Sequence, residues 1–155
     1  DKRNRDQFSS HIINRAKNES SDVGNLLKFY EEAQKEKGFS GISPSLFQSL
    51  SEQRGKAWKF CHYIAKGESS SELAGMLVSV IHGDTATYLI GNTTAFGRNM
   101  NANYAMLWCA ILDAKKNGCK WFDLGGINTN TPSGIRHFKE GVRGDNYHLI
   151  GEYIN

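Results

Sequence analysis

The segment that most limits how this chain can fold is the apolar run Leu73-Ala74-Gly75-Met76-Leu77-Val78-Ser79-Val80-Ile81, closed by Gly83-Asp84. It is too short to cross a membrane as a helix, and Gly75 and Ser79 interrupt it. Strand length and a turn-type boundary make residues 72–82 a long buried strand. Gly83-Asp84 is then a hairpin turn into a second strand, residues 85–90. Upstream, residues 58–65 are also strand-like, and Lys66-Gly67-Glu68-Ser69-Ser70-Ser71 is a turn. Three strands so connected predict an antiparallel meander.

Beyond the meander the period changes. Residues 99–117 place Tyr104, Leu107, Trp108, Ile111 and Ala114 on one helical face, and Gly118 ends the helix. Residues 121–124 return to strand. A crossover helix of this kind lets that strand lie parallel to residues 85–90. Pro132 helps to start a short helix over residues 133–140, and residues 147–153 read as a closing strand.

Ahead of the meander, Ser20-Ser21-Asp22 can cap a helix running to about Lys37, with Leu26, Leu27, Phe29, Tyr30 and Ala33 apolar and Gly38 as the stop. Ser43-Pro44 starts a second helix that would bury Leu46, Phe47 and Leu50. Residues 1–19 are polar and basic around Phe8, Ile12, Ile13 and Ala16, and read as a short helix or a connecting arm. The expected architecture is one α/β domain over residues 20–155, a mixed sheet flanked by helices.

Apolar residues make up 39% of the chain and charged residues 23%, the balance of a soluble globular domain. Net charge is +3, but it is unevenly spread. Between Arg98 and Arg143 there are seven Lys/Arg against three Asp/Glu, whereas the first 97 residues hold twelve against eleven. The positive half suits an anionic partner. Cys61, Cys109 and Cys119 match no zinc or redox spacing and read as reduced, mostly buried thiols of a cytoplasmic protein. His11, His62, His82, His137 and His148 are scattered, so no metal site is expected.

The chemistry concentrates in the last third. Lys120-Trp121-Phe122-Asp123-Leu124-Gly125-Gly126-Ile127 reads as a buried strand ending in an acid and two glycines. After a polar loop comes Gly134-Ile135-Arg136-His137-Phe138-Lys139-Glu140-Gly141, a short helix with clustered cations. Arg136 and Lys139 are three residues apart and share a face, where they could hold an oxyanion or phosphates. Asp123, at the end of an interior strand, would face the site cleft or else bond its own loop. Gly125 and Gly126 allow unusual backbone angles or the close approach of a ligand, or simply form a turn. Phe138 flanks the lysine, and Asn128, Thr129 and Asn130 form a polar loop beside it.

This order of elements, with these residues, resembles the acetyltransferase-type (GNAT) fold. More narrowly it resembles one repeat of the FemABX peptidyltransferases. The matching features are Leu73-Ala74-Gly75, Tyr88-Leu89-Ile90-Gly91, Leu107-Trp108-Cys109-Ala110-Ile111, Phe122-Asp123-Leu124-Gly125-Gly126, Gly134-Ile135-Arg136-His137-Phe138-Lys139 and Gly151-Glu152-Tyr153, across roughly residues 20–153. The resemblance implies transfer of an amino acid from aminoacyl-tRNA to an amine of a peptidoglycan precursor. That precursor would be a sugar-nucleotide or lipid-linked peptide, and the latter would bring the protein near the membrane. It implies Lys139 as the cation that stabilises the oxyanion. Asp123 is the second catalytic candidate, placed at the strand end to orient the acceptor amine or pair with a neighbouring cation. Arg136, Phe138, Gly125, Gly126 and Asn128 become the substrate contacts. Family enzymes carry two such domains, so the chain reads as the C-terminal half of one.

Two other classes share the fold. A coenzyme A-dependent N-acetyltransferase would cradle a pyrophosphate at the start of the central helix. Here that place reads Phe96-Gly97-Arg98-Asn99-Met100-Asn101-Ala102-Asn103, without the usual glycine-rich run, so no cofactor is expected. A non-catalytic RNA- or partner-binding domain is the other alternative.

Overall fold

A computed structural model describes residues 11–16, 20–38, 41–52, 58–67 and 72–148. Among these residues, five strands form one sheet in the order β1-β2-β3-β4-β5: β1 His11–Ala16, β2 Trp58–Gly67, β3 Leu73–His82, β4 Thr85–Thr93 and β5 Trp121–Asp123. Strands β1 to β4 are antiparallel neighbours, and β5 lies parallel to β4. The predicted meander, its hairpin at Gly83-Asp84 and the parallel crossover are all present. The mixed sheet with flanking helices is the GNAT arrangement.

The short helix or connecting arm expected within residues 1–19 is corrected: His11–Ala16 is a strand paired with β2 from His11↔Gly67 to Ala16↔His62. Tertiary pairing overrides a weak local pattern there. The same pairing extends β2 through Lys66 and Gly67, which the sequence places in a turn. Tyr147 and His148 carry no strand, and the rest of the predicted closing strand lies outside the described residues.

Two layers of helix cover β3, which is buried from Ala74 to Val80. On one face lie α1 (Ser20–Lys37) and α2 (Pro44–Glu52), whose Leu26, Tyr30 and Phe47 pack with Met76, Val78 and Ile90. Fully burying a side chain such as Phe47 is worth about 1.5–3 kcal/mol. The Ser43 hydroxyl caps α2 by accepting from Leu46 N at 3.2 Å. Leu46 itself is exposed, because the helix turns Phe47 inward instead.

The opposite face is covered by α4 (Ala102–Lys116), which a one-turn helix, α3 (Ala95–Asn99), precedes. The single helix expected from residue 99 is thus broken at Met100-Asn101, where Asn101 takes a left-handed conformation with φ 54°. The buried stripe of α4 also differs from expectation. It consists of Ala102, Ala105, Met106, Leu107, Ala110 and Ala114, while Trp108 faces solvent and Tyr104 and Ile111 are half-buried. Small residues let the helix approach the sheet closely, and a bulky indole cannot fit between them. Gly97 shows the same tightness: a Cβ there would overlap the Ala74 carbonyl of β3.

The described residues divide into two compact units, one ending at Gly125 and the other beginning at Gly126. The second contains α5 (Ser133–Gly141).

Candidate functional site

In the first unit the sheet opens between β4 and β5. The two strands pair only from Thr85↔Trp121 to Thr87↔Asp123, whereas β4 continues to Thr93. The opening begins beside a bulge. Val78 pairs with Ile90 and Ser79 with Tyr88, so Leu89 is the extra residue. A bulge bends a strand and increases its twist, which here accompanies the divergence of β4 from β5. Asp123 stands at the mouth of this split.

Asp123 has a backbone partner. Its Oδ1 accepts from Gly125 N at 2.8 Å, and Gly125 sits at φ 73°, a conformation that favours glycine. The acid therefore shapes the turn that leaves the strand. Gly126 differs from Gly125, since a Cβ there would meet nothing within 4 Å. One sequence expectation fails at β5: the strand is not buried, for Trp121 is 67% exposed. Among the described residues β5 comes last in the sheet order.

Tyr88, just before the bulge, lies over Gly91, where a Cβ would collide with its phenol. Burial pushes the Tyr88 hydroxyl well above its ordinary value, and Tyr30 adds to the shift. Burial also raises Cys109 and Cys119, with Asp113 and Asp84 respectively adding to the effect. Such thiols are poor nucleophiles near neutral pH. None of the three cysteines forms a disulfide, and Cys61 alone of them is buried.

The second unit brings four of the predicted site residues together. Lys139 Nζ donates to the Gly126 carbonyl at 2.9 Å, and Arg136 Nη2 donates to the Asn128 carbonyl at 2.7 Å. Both cations thus reach back from α5 to the same loop. Arg136 is steadied by Glu140, one turn along, at 3.8 Å. Asn128 is the centre of the loop. Its Oδ1 accepts from Asn130 N at 2.9 Å and from the Thr131 hydroxyl at 3.2 Å, while Thr131 Oγ1 accepts from Asn128 N at 2.9 Å. Phe138 is half-buried, and α5 buries no residue fully. Thr131 and Glu140 were missed in the sequence. The signal for the former was an Asn followed three residues later by Thr, a side-chain-closed turn.

At the start of α4, the segment weighed as a coenzyme A cradle is occupied by packing. Thr94 Oγ1 accepts from Gly97 N at 3.0 Å and donates to Leu73 O at 2.9 Å, tying α3 to β3. Arg98 Nη1 donates to Thr93 O at 3.0 Å. Among the described residues no group of His, Cys, Asp and Glu could hold a metal, and no helix is long and apolar enough to cross a membrane.

Several solved structures share this fold. FemX superposes with a TM-score of 0.68 at 12% identity, over 90% of this chain and 52% of FemX, so the chain spans about half its length. An aminoglycoside acetyltransferase from an uncultured soil metagenomic sample, in complex with sisomicin, gives 0.65 at 13% identity, over 94% and 96% of the two chains. A transcriptional regulator from Bacillus halodurans gives 0.62 at 19%, over 94% and 99%. At such identities the likeness shows the fold alone, and the three differ in what they do. No curated protein sequence matches the chain. The FemAB family model, in contrast, matches residues 2–155, nearly the whole sequence, and on that match the chain belongs to the FemAB family.

Proposed function

We propose that the protein is the C-terminal domain of a FemABX-type aminoacyltransferase. It takes part in moving an amino acid from aminoacyl-tRNA to an amine of a peptidoglycan precursor in the cytoplasm. Family membership over residues 2–155 is the observation that carries this reading. Coverage of half of FemX supports the two-domain arrangement.

In the reaction the acceptor amine attacks the ester carbonyl of the aminoacyl-tRNA. Negative charge builds on the carbonyl oxygen, and the ester oxygen leaves as the tRNA hydroxyl. A preorganised cation at that oxygen lowers the barrier, and one such donor is worth about 3–4 kcal/mol. Lys139 takes this role. The Gly126 bond holds the ammonium in a fixed direction. Arg136 and Asn128 keep the loop in place, so their contribution is to position Lys139 rather than to touch substrate. Asp123 acts through the turn it makes with Gly125, and Phe138 backs the lysine on α5.

The test is aminoacyl transfer by the complete protein, with tRNA and precursor supplied. Transfer from aminoacyl-tRNA supports the reading. Tight, saturable binding of coenzyme A with acetyl transfer to an amine would replace it with the N-acetyltransferase class. Salt-dependent tRNA binding without any transfer would leave a docking module.

A further inference from the structure

We propose that Asn117 is a deamidation site, held shut by the last turn of α4 and opened when that turn frays. Asn117-Gly118 is the one Asn-Gly pair in the sequence. An asparagine reacts most readily in this pair, because glycine has no side chain to shield its own nitrogen. Both residues are exposed, and a Cβ at Gly118 would meet nothing within 4 Å, so water has access. The pair ends α4, with Asn117 as its cap and Gly118 at φ 84° turning the chain toward β5.

In the reaction the Gly118 nitrogen gives up its proton and bonds Asn117 Cγ. The Cγ–Nδ2 bond then breaks, and Nδ2 leaves with its two hydrogens and one further proton as ammonia. Water opens the resulting succinimide ring at either carbonyl. The product is aspartate, or isoaspartate, in which the main chain runs through the side-chain carbon. The carboxamide is already polarised for attack: Lys59 Nζ donates to Asn117 Oδ1 at 2.6 Å, where negative charge would build. The nucleophile is what the fold withholds. Asn117 has ψ 8°, which turns the Gly118 nitrogen away from Cβ, and Gly118 N donates to Lys115 O at 3.1 Å. Cys119 N donates to Ala114 O at 3.0 Å, and Asn117 Nδ2 to Asp113 O at 2.7 Å. Attack requires ψ to rotate, which breaks the bonds of Gly118 and Cys119. A helix end opens at far lower cost than the whole domain, so the reaction passes through local fraying.

The two products differ in consequence. Aspartate leaves the main chain as it was and pairs with Lys59. Isoaspartate lengthens the main chain just ahead of β5, where Lys120 N and Trp121 N both donate to Asp84 O, at 2.7 and 3.3 Å. That product therefore loosens the entry to β5. The inference does not depend on the acyl-transfer reading.

The test ages the full chain at mildly alkaline pH, in buffer and in guanidinium chloride, and locates acid products by peptide mass spectrometry. Asn117 should convert in both, about 10- to 100-fold more slowly in the folded chain. Lys59→Ala releases the end of α4 from β2, so amide exchange at Gly118 and Cys119 should quicken, and deamidation by the same factor. The Lys59 side chain is exposed, and circular dichroism checks that the fold persists. Exchange at Lys120 and Trp121 should quicken in the isoaspartate fraction and stay unchanged in Asn117→Asp. Equal rates in the folded and unfolded chains would overturn the gate, and a folded chain that never converts at Asn117 would overturn the site. Deamidation that slows in Lys59→Ala while exchange quickens would assign control to the ammonium instead of fraying and likewise overturn the proposal.

Discussion

The Lys139 ammonium lies 2.9 Å from the carbonyl oxygen of Gly126, the second glycine of the motif after β5. Three residues back, Arg136 makes the equivalent bond to Asn128. Two cations on one helical face thus staple a single loop. The cluster that looks in sequence like an anion site is, in the folded unit, also the device that fixes its own loop.

Replacing Lys139 with Met keeps the length of the side chain and removes its charge. Turnover of aminoacyl transfer by the complete protein should fall about 10²- to 10³-fold, as when one oxyanion donor is lost. Steady-state kinetics check this, and near wild-type kcat would remove Lys139 from the chemistry.

Arg136→Ala should leave α5 folded, because the Asn128–Thr131 turn keeps its own bonds. The pair is exposed, so global stability should change by less than about 1 kcal/mol. Local order is what should suffer. Amide exchange at Asn130 and Thr131, followed by NMR, is expected to quicken in Arg136→Ala and more in Asn128→Ala. In the active protein kcat should drop with KM little changed. A rise in KM alone would mean that Arg136 touches substrate instead.

Gly97→Ala should cost about 2–3 kcal/mol, because its Cβ meets backbone that cannot swing aside. At Gly134, on α5, an added methyl group would meet nothing within 4 Å, so Gly134→Ala should be neutral or raise stability by about 0.5 kcal/mol. Denaturant melts of the two variants compare them directly.

Alkaline pH should destabilise the protein through Tyr88 and Tyr30. Both hydroxyls are raised above 10.0 in the fold, chiefly by burial, with bonds to Ile42 and Gln34 partly offsetting the shift at Tyr30. The folded state therefore holds these protons more tightly than the unfolded chain. Their contribution is intact below pH 10.0 and is lost as pH rises beyond it. Tyr88→Phe should flatten the fall in Tm between neutral pH and about pH 11. An unchanged slope would count against the buried phenol as its source.

Much of the architecture was legible because it follows from period and punctuation. The apolar run through Val78, the Gly83-Asp84 turn and the stop at Gly118 specify a meander and a crossover with no knowledge of distant contacts. Asp123, Arg136 and Lys139 could also be picked out as a group, since residue type and spacing carry chemical meaning.

Burial was less legible. Trp108 and Trp121 look like core residues, yet both are exposed. The helix seam is filled by alanines, and β5 comes last in the described sheet. Neither fact is local. The strand at His11–Ala16 was missed for the same reason, as only pairing with β2 makes it a strand.

By itself, then, the sequence determined the meander, the parallel crossover and the residue types of the candidate site, because turns, caps and periodicity act over a few neighbours. The tertiary structure alone decided which carbonyls Lys139 and Arg136 hold, that Asp123 bonds Gly125, and which aromatics face water. Those outcomes depend on how closely chain segments distant in sequence approach, and local propensity does not encode that distance.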